Sequence, residues 1–387
     1  MVGKSCVTDA LFAETVASRR HLHAHPELGF DLDETVAFVR GKLDEYGVPC
    51  TDRYGRGSLC ATLGDLSGAC PVVALRADMD ALPIQEASGV PFASQNPGKM
   101  HACGHDSHTA ILLAVAKVLK EREAELPCGV RLLFQPSEEC AESGARMMVE
   151  NGVLDGVSTV LGVHCEPALE TGLLGIREGA YMAACAPIEI SFVGKSAHAA
   201  MPATGVDAIA MAVRAYAEMK RAVAEEAAGA PYIWSVGTFQ GGTAHNVIAG
   251  RCKLEISFRY YDEAFAERVR GRVEDICRQV ASEAGGQVEL NWILSAHAVI
   301  NDPRTVQRFR DAVARRGLPV VELPSRMSSE DFSWYLRRKP GAIFRFGTRN
   351  EALGCAVLAH HADFRIDEDG MRPAIEAFVA FVLDYAE

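Results

Sequence analysis

Apolar positions along the first 180 residues fall into two alternating textures. Residues from about Asp9 to His25 and from about Asp33 to Tyr46 carry apolar side chains at helical spacing, the first stretch being broken by Pro26. Cys60–Leu63, Pro71–Arg76, Gly129–Phe134 and Thr159–Val163 are short continuous apolar runs bounded by Gly, Asp or Pro, which predicts buried strands. Thr109–Lys120 reads as a helix between two of them. Strands alternating with helices predict an α/β fold, a mostly parallel sheet with helices on both faces.

After Tyr181 the pattern changes. Ile188–Val193 alternates apolar and polar, Val206–Lys220 is helical, and Tyr232–Gln240 and Lys253–Arg259 are strands. Glu263–Ala284 is helical and Gln287–Ile293 is a last strand, giving the order βαββαβ of a ferredoxin-like, antiparallel unit. Then Val306–Arg316 is helical, Ala342–Phe346 a strand and Met371–Tyr385 a closing helix. The expected organisation is a discontinuous α/β domain, residues 1–182 and 299–387, interrupted by a smaller inserted domain, 183–298.

A length of 387 residues fits this two-domain reading. The net charge of −12 argues against a nucleic-acid groove or a basic membrane patch, although a few arginines could still hold a substrate carboxylate. No apolar run approaches a membrane span, and Met1–Arg20 lacks the apolar stretch of a signal peptide. Twelve cysteines without CxxC spacing predict reduced thiols in a cytoplasmic protein.

The densest chemistry is Met100-His101-Ala102-Cys103-Gly104-His105-Asp106-Ser107-His108. In an extended segment Cys103 and His105 would project to one side, where a thiolate and an imidazole suit a borderline-soft divalent ion; the alternative is a redox thiol. In Gln135-Pro136-Ser137-Glu138-Glu139, Ser137 could cap a following turn whose carboxylates suit the helix dipole. Just beyond a strand, however, one of the two glutamates could ligate a metal while its neighbour serves as a general base. His164 follows an apolar strand, and His360 and His361 lie in a polar loop before the last helix. Cys103, His105, Glu139, His164 and one of that last pair would make five ligands. This exceeds one tetrahedral ion and fits two ions sharing a ligand.

These residues resemble those of the dinuclear-metal amidohydrolases: hippurate hydrolase, indole-acetyl-amino-acid hydrolases, N-acyl-amino-acid amidohydrolases and N-acetyl-diaminopimelate deacetylase, with aminoacylase and carboxypeptidase G more distant. The markers run nearly the length of the chain: Arg19-Arg20-His21-Leu22-His23 with Pro26-Glu27-Leu28-Gly29-Phe30, Arg76 to Pro83, His101 to His108, Gln135 to Glu139, and Ser329-Glu330-Asp331-Phe332. The resemblance implies two divalent ions per subunit (Zn, Mn, Co or Ni), held by Cys103, His105, Glu139, His164 and His360, with Glu138 as general acid/base. His360 takes the ligand role because the family's His-x-Pro-x-Phe pattern is registered by Phe364; Ala362 replaces its proline. Ala249 likewise replaces a proline after Asn246-Val247-Ile248, and both changes are expected to loosen a loop.

The resemblance further implies Asp80 and Asp106 as carboxylates that orient the imidazole ligands. His198 would be a donor to the tetrahedral oxyanion, often from a partner subunit, and Asn246 and Arg259 would hold the substrate's amide and carboxylate. For Arg259 a plain salt bridge is the competing reading. The implied activity is hydrolysis of an N-acyl-L-amino acid to a carboxylic acid and a free amino acid by a homodimer, with a dipeptidase or carboxypeptidase as the alternative. A binding protein that kept the fold but lost catalysis is disfavoured by Glu138 and the five ligands.

Overall fold

The computed structural model describes residues 5–385; residues 1–4 and 386–387, the outermost ends of the expected α/β domain, lie outside the described residues. Two compact units emerge. The larger takes the chain up to Tyr181, Ile300–Ser325 and the chain from Asp331 onward; the smaller takes Met182–Val299 and the short return Arg326–Glu330.

The larger unit is built on an eight-stranded sheet. At its centre Gly129–Gln135, Val72–Asp78, Thr159–Glu170 and Gly341–Arg349 lie side by side and parallel, in that spatial order. Both faces are covered, which is why these strands read as unbroken apolar runs: every residue of Val72–Asp78 is buried. Leu59–Leu63 adds antiparallel at one side, and Leu174–Ile176 runs antiparallel to Gly341–Arg349 at the other. The helices His105–Glu121 and Met371–Leu383 contribute Ile111, Leu112, Val115, Phe378 and Val382 to the same core as Val73, Leu75, Leu161 and Phe344. Three-residue strands such as Leu174–Ile176 and Val320–Glu322 are too short to show a period, and the sequence reading missed them.

In the smaller unit the strands Ala184–Val193, Ile233–Gly241, Arg251–Tyr260 and Gln287–Trp292 form one antiparallel sheet. Chain order 2-3-1-4 across that sheet is the ferredoxin-like arrangement. Ile188, Ile190 and Phe192 alternate inward with Leu254, Ile256 and Phe258, and the helices Ala208–Ala227 and Glu263–Glu283 cover them with Met211, Ala215, Met219, Val269 and Val273. The opposite face is polar, with Lys253 Nζ reaching Glu189 at 3.0 Å and Glu255 at 2.6 Å. No helix among the described residues is long and apolar enough to cross a membrane.

One glycine fixes how the first parallel strands meet their helix. Gly104 sits at φ +86° directly before His105, and a Cβ there would come within 2.6 Å of Cys165 Sγ. Gly89 has a similar φ of +72° but open space around it. Gly89→Ala should therefore cost about 1 kcal/mol from backbone strain alone. Gly104→Ala should cost clearly more, seen as a larger drop in Tm of the metal-free protein. Equal drops would show that the Cys165 contact has no consequence.

Candidate metal centre

The parallel strands end together, and their ends carry the polar residues. Asp80 lies two residues past the end of Val72–Asp78, and its backbone carbonyl accepts a hydrogen bond from His105 Nδ1 at 2.8 Å. That contact places the ring proton on Nδ1 and leaves Nε2 as a lone-pair donor atom. His105 Nε2 is buried and has no hydrogen-bond partner among the described residues; the carboxylate oxygens of Asp78, Glu139 and Glu138 stand 3.7, 3.8 and 3.9 Å away. Cys103 and His105 do not project together from an extended segment, as expected from their spacing. Cys103 lies in a turn, Gly104 reverses the backbone, and His105 opens the helix.

Glu138 and Glu139 lie in an irregular loop rather than in a helix capped by Ser137. Ser137 adopts φ +53°, and its hydroxyl donates to the Glu142 carbonyl at 2.7 Å; the helix Gly144–Glu150 is capped instead by Ser143. The Asp80 carboxylate accepts from the backbone N–H of Glu138 at 2.9 Å and of Glu139 at 3.0 Å. Asp80 thus aims both an imidazole, through its carbonyl, and the glutamate loop, through its side chain.

His164 is inside its strand rather than at its end. Pairing with the Asp78 strand stops at Gly162, but the strand runs on to Glu170 beside Gly341–Arg349. Cys103 Sγ lies 3.5 Å from His164 Nε2, and His360 Nε2 lies 3.2 Å from Glu139 Oε1. His361 turns away to Asp363. His360 holds φ +65°, one of three non-glycine residues at positive φ among those described, with Ser137 and Ala228. Strained backbone of this kind concentrates at working sites.

Potential donor atoms of Cys103, His105 and His164 lie within 4.8 Å of one another, and so do those of Cys103, Glu139 and His360. The thiol belongs to both sets. Glu138 joins a third set with His105 and Glu139. Burial, then the Glu139 carboxylate, push the Cys103 thiol well above its usual range. Burial works against a charged His105, but Asp78, Asp80 and Glu139 outweigh it and raise its pKa to about 10. An orphaned nitrogen beside a thiol and three carboxylates is a donor set of the right chemistry for divalent metal.

Two neighbours differ from expectation. Asp106 touches none of the five expected ligands: its carboxylate accepts from Arg19 Nε at 2.7 Å and pairs with His23 Nδ1 at 2.8 Å. In the first turn of a helix it faces about 100° away from His105. Asp78, which the sequence reading passed over, takes the place beneath the site. Its carboxylate contacts His108 Nδ1 at 2.6 Å and Arg76 Nη1 at 2.6 Å, and His108 Nε2 accepts from the Cys165 N–H at 2.8 Å. Residues 76, 78 and 108 all stood inside motifs already noted; only their partners were invisible.

Within the smaller unit, His198 pairs opposite Val247 in a two-residue ribbon, and the Ala199 N–H donates to the Asn246 carbonyl at 3.0 Å, so the two loops are neighbours. His198 and Asn246 are exposed. The Ala200 N–H donates to His198 Nδ1 at 3.1 Å, which leaves Nε2–H of the neutral ring free to donate. Arg259 is half-buried, donating to the Met327 carbonyl at 2.9 Å, and makes no ion pair among the described residues.

Residues 74–384 match the family model described as Peptidase family M20/M25/M40. N-acetylcysteine deacetylase of Bacillus subtilis is 35% identical over 372 residues, covering 95% of this chain and 96% of its own length. N-acyl-L-amino acid amidohydrolase of Geobacillus stearothermophilus is 40% identical over 322 residues, 82% and 86% of the two chains. Among solved structures, the YXEP protein of Bacillus subtilis, described as a dinuclear metal binding peptidase from the M20 family, superposes with a TM-score of 0.85 at 33% identity, covering 97% of this chain and 98% of that one. The chain belongs to peptidase family M20/M25/M40, and it is a hydrolase.

Proposed function

We propose that the protein hydrolyses the amide bond of N-acyl-L-amino acids, hippurate-like or N-acetylated, with two divalent ions per subunit. The observation that carries this reading is one thiol, Cys103, shared by two three-membered donor sets, with His105 and His164 completing one and Glu139 and His360 the other. The names of the two relatives, N-acetylcysteine deacetylase and N-acyl-L-amino acid amidohydrolase, support the substrate class.

Bound ions would supply Lewis-acid polarisation of the scissile carbonyl and of the attacking water. Glu138, the neighbour of Glu139, takes the water's proton and later delivers it to the leaving amine. His198 donates its Nε2–H to the developing oxyanion, from its own chain or from a partner's. Asn246 holds the substrate's amide. Arg259, a half-buried guanidinium balanced by a carbonyl rather than a carboxylate, holds its carboxylate. Asp80 orients His105 and the glutamate loop. Ile209, Val213 and Phe239 lie exposed on the helix and edge strand of the smaller unit, and we place the homodimer contact there. A cytoplasmic setting keeps Cys103 reduced.

Metal-loaded, desalted protein should carry about two equivalents of divalent ion. Cys103→Ser should lower that number, whereas Cys50→Ser and Cys277→Ser should not; a wild-type value of one or less counts against a shared thiolate. Turnover is measured as free amine released from hippurate and from N-acetyl amino acids, with and without chelator. Faster release from unblocked dipeptides would overturn the substrate class.

Glu138→Gln should retain metal and lose ~10²–10⁴-fold in kcat. Near-normal turnover in that variant would remove Glu138 from its role. His198→Ala should lower kcat by ~10²–10³-fold with metal unchanged. Mixing His198→Ala chains with Glu138→Gln chains then decides the arrangement. Recovered activity places the histidine across a dimer interface, and none, after verified subunit exchange, places it within its own chain.

A further inference from the structure

The segment Ser329-Glu330-Asp331-Phe332 has so far had no chemistry assigned to it. Asp331 is the residue at which the chain returns to the larger unit after the short stretch Arg326–Glu330, and it is buried there. Its Oδ1 accepts from Arg76 Nη2 at 2.8 Å and Gln135 Nε2 at 2.9 Å; its Oδ2 accepts from Gln135 Nε2 at 2.8 Å, Ser143 Oγ at 2.7 Å and the Ala145 N–H at 3.2 Å.

The positions of those donors matter more than their number. Gln135 is the last residue of the strand that leads into the Glu138–Glu139 loop, and Ser143 caps the helix that leaves it. One carboxylate therefore grips both feet of the loop. The loop closes on itself between them through Ser137, whose hydroxyl donates to Glu142 and whose carbonyl accepts from the Gly144 N–H at 3.0 Å. At its crown the Asp80 carboxylate holds the N–H groups of Glu138 and Glu139. The loop is thus fixed at three points by two carboxylates, and Arg76, wholly buried between Asp78, Gln135 and Asp331, balances the charge beneath it.

Resting on the function proposed above, we infer that Asp331 is a positioning residue for Glu138 and Glu139, and so for one of the two ions but not the other. The donor set of Cys103, Glu139 and His360 includes a residue of the gripped loop; the set of Cys103, His105 and His164 does not. The replacement Asp331→Asn keeps the shape, removes the charge, and turns an amide N–H₂ towards donors that need an acceptor. Losing a partner of this kind typically costs ~10–100-fold in metal affinity or activity.

The test titrates the metal-free full-length chain with Zn²⁺ by equilibrium dialysis and follows amine release in parallel. Asp331→Asn should bind one equivalent as tightly as wild type and the second ~10–100-fold more weakly, with kcat reduced and KM changed far less. The same substitution in a Glu139→Gln background should add little further loss at the second ion. Two ions bound as in wild type with normal kcat, or both ions weakened alike, would overturn the inference, since the second pattern is that of general loosening. If Asp331→Asn does not fold, Ser143→Ala, which keeps the charge and removes one grip, decides in its place: a smaller loss confined to the second ion supports the inference, and an unchanged titration overturns it. Wild-type protein that binds a single ion, or Glu139→Gln that binds two normally, would refute the metal assignment itself, an outcome distinct from either.

Discussion

The guanidinium of Arg76 has no access to solvent, and the polar end of the parallel sheet is organised around the obligation to satisfy it. Removing an ion from water costs several kcal/mol, and breaking one partner of a buried pair typically costs about 3–5 kcal/mol. Arg76 meets Asp78, Gln135 and Asp331 at 2.6 to 2.8 Å. Each partner then does a second job. Asp78 holds His108, which in turn accepts from the backbone beside His164, and Asp331 holds the glutamate loop. A buried pair of this kind is a poor source of stability compared with an apolar core of equal volume, so its value lies in fixing orientation.

Much of this was legible in the chain because the larger unit's sheet is covered on both faces and the smaller unit's on one. Those two situations write different patterns, unbroken runs in Val72–Asp78 and alternation in Ala184–Val193, and both of these strands were found within a few residues of their ends. The Cys103–His105 and Glu138–Glu139 clusters stood out because thiol, imidazole and paired carboxylate side chains are rare company for one another, whereas the choice of His360 over His361 came from the family resemblance.

What was not legible depended on direction rather than identity. Asp106 and Asp78 are both acids beside histidines, but a helix turns about 100° per residue, so His105 and His108 share a side and Asp106 faces Arg19 and His23. Gly104 similarly converts an apparent extended pair into a turn followed by a helix. His164 was placed at a strand end because the apolar run stops there, whereas the strand continues with a partner on one side only. The grip of Asp331 on a loop nearly two hundred residues earlier leaves no local trace at all.

The parallel order of the central strands has a consequence for how the protein is made. Thr159–Glu170 must wait for Gly341–Arg349, and the smaller unit's main stretch is synthesised between them. At typical translation rates that interval is on the order of ten to thirty seconds, during which the sheet has an open flank. Cys103, His105 and His164 have all emerged before it begins, while His360 follows its end. The two donor sets are therefore born at different times. A chain stalled on the ribosome after the smaller unit would possess every residue of the first set and lack a residue of the second.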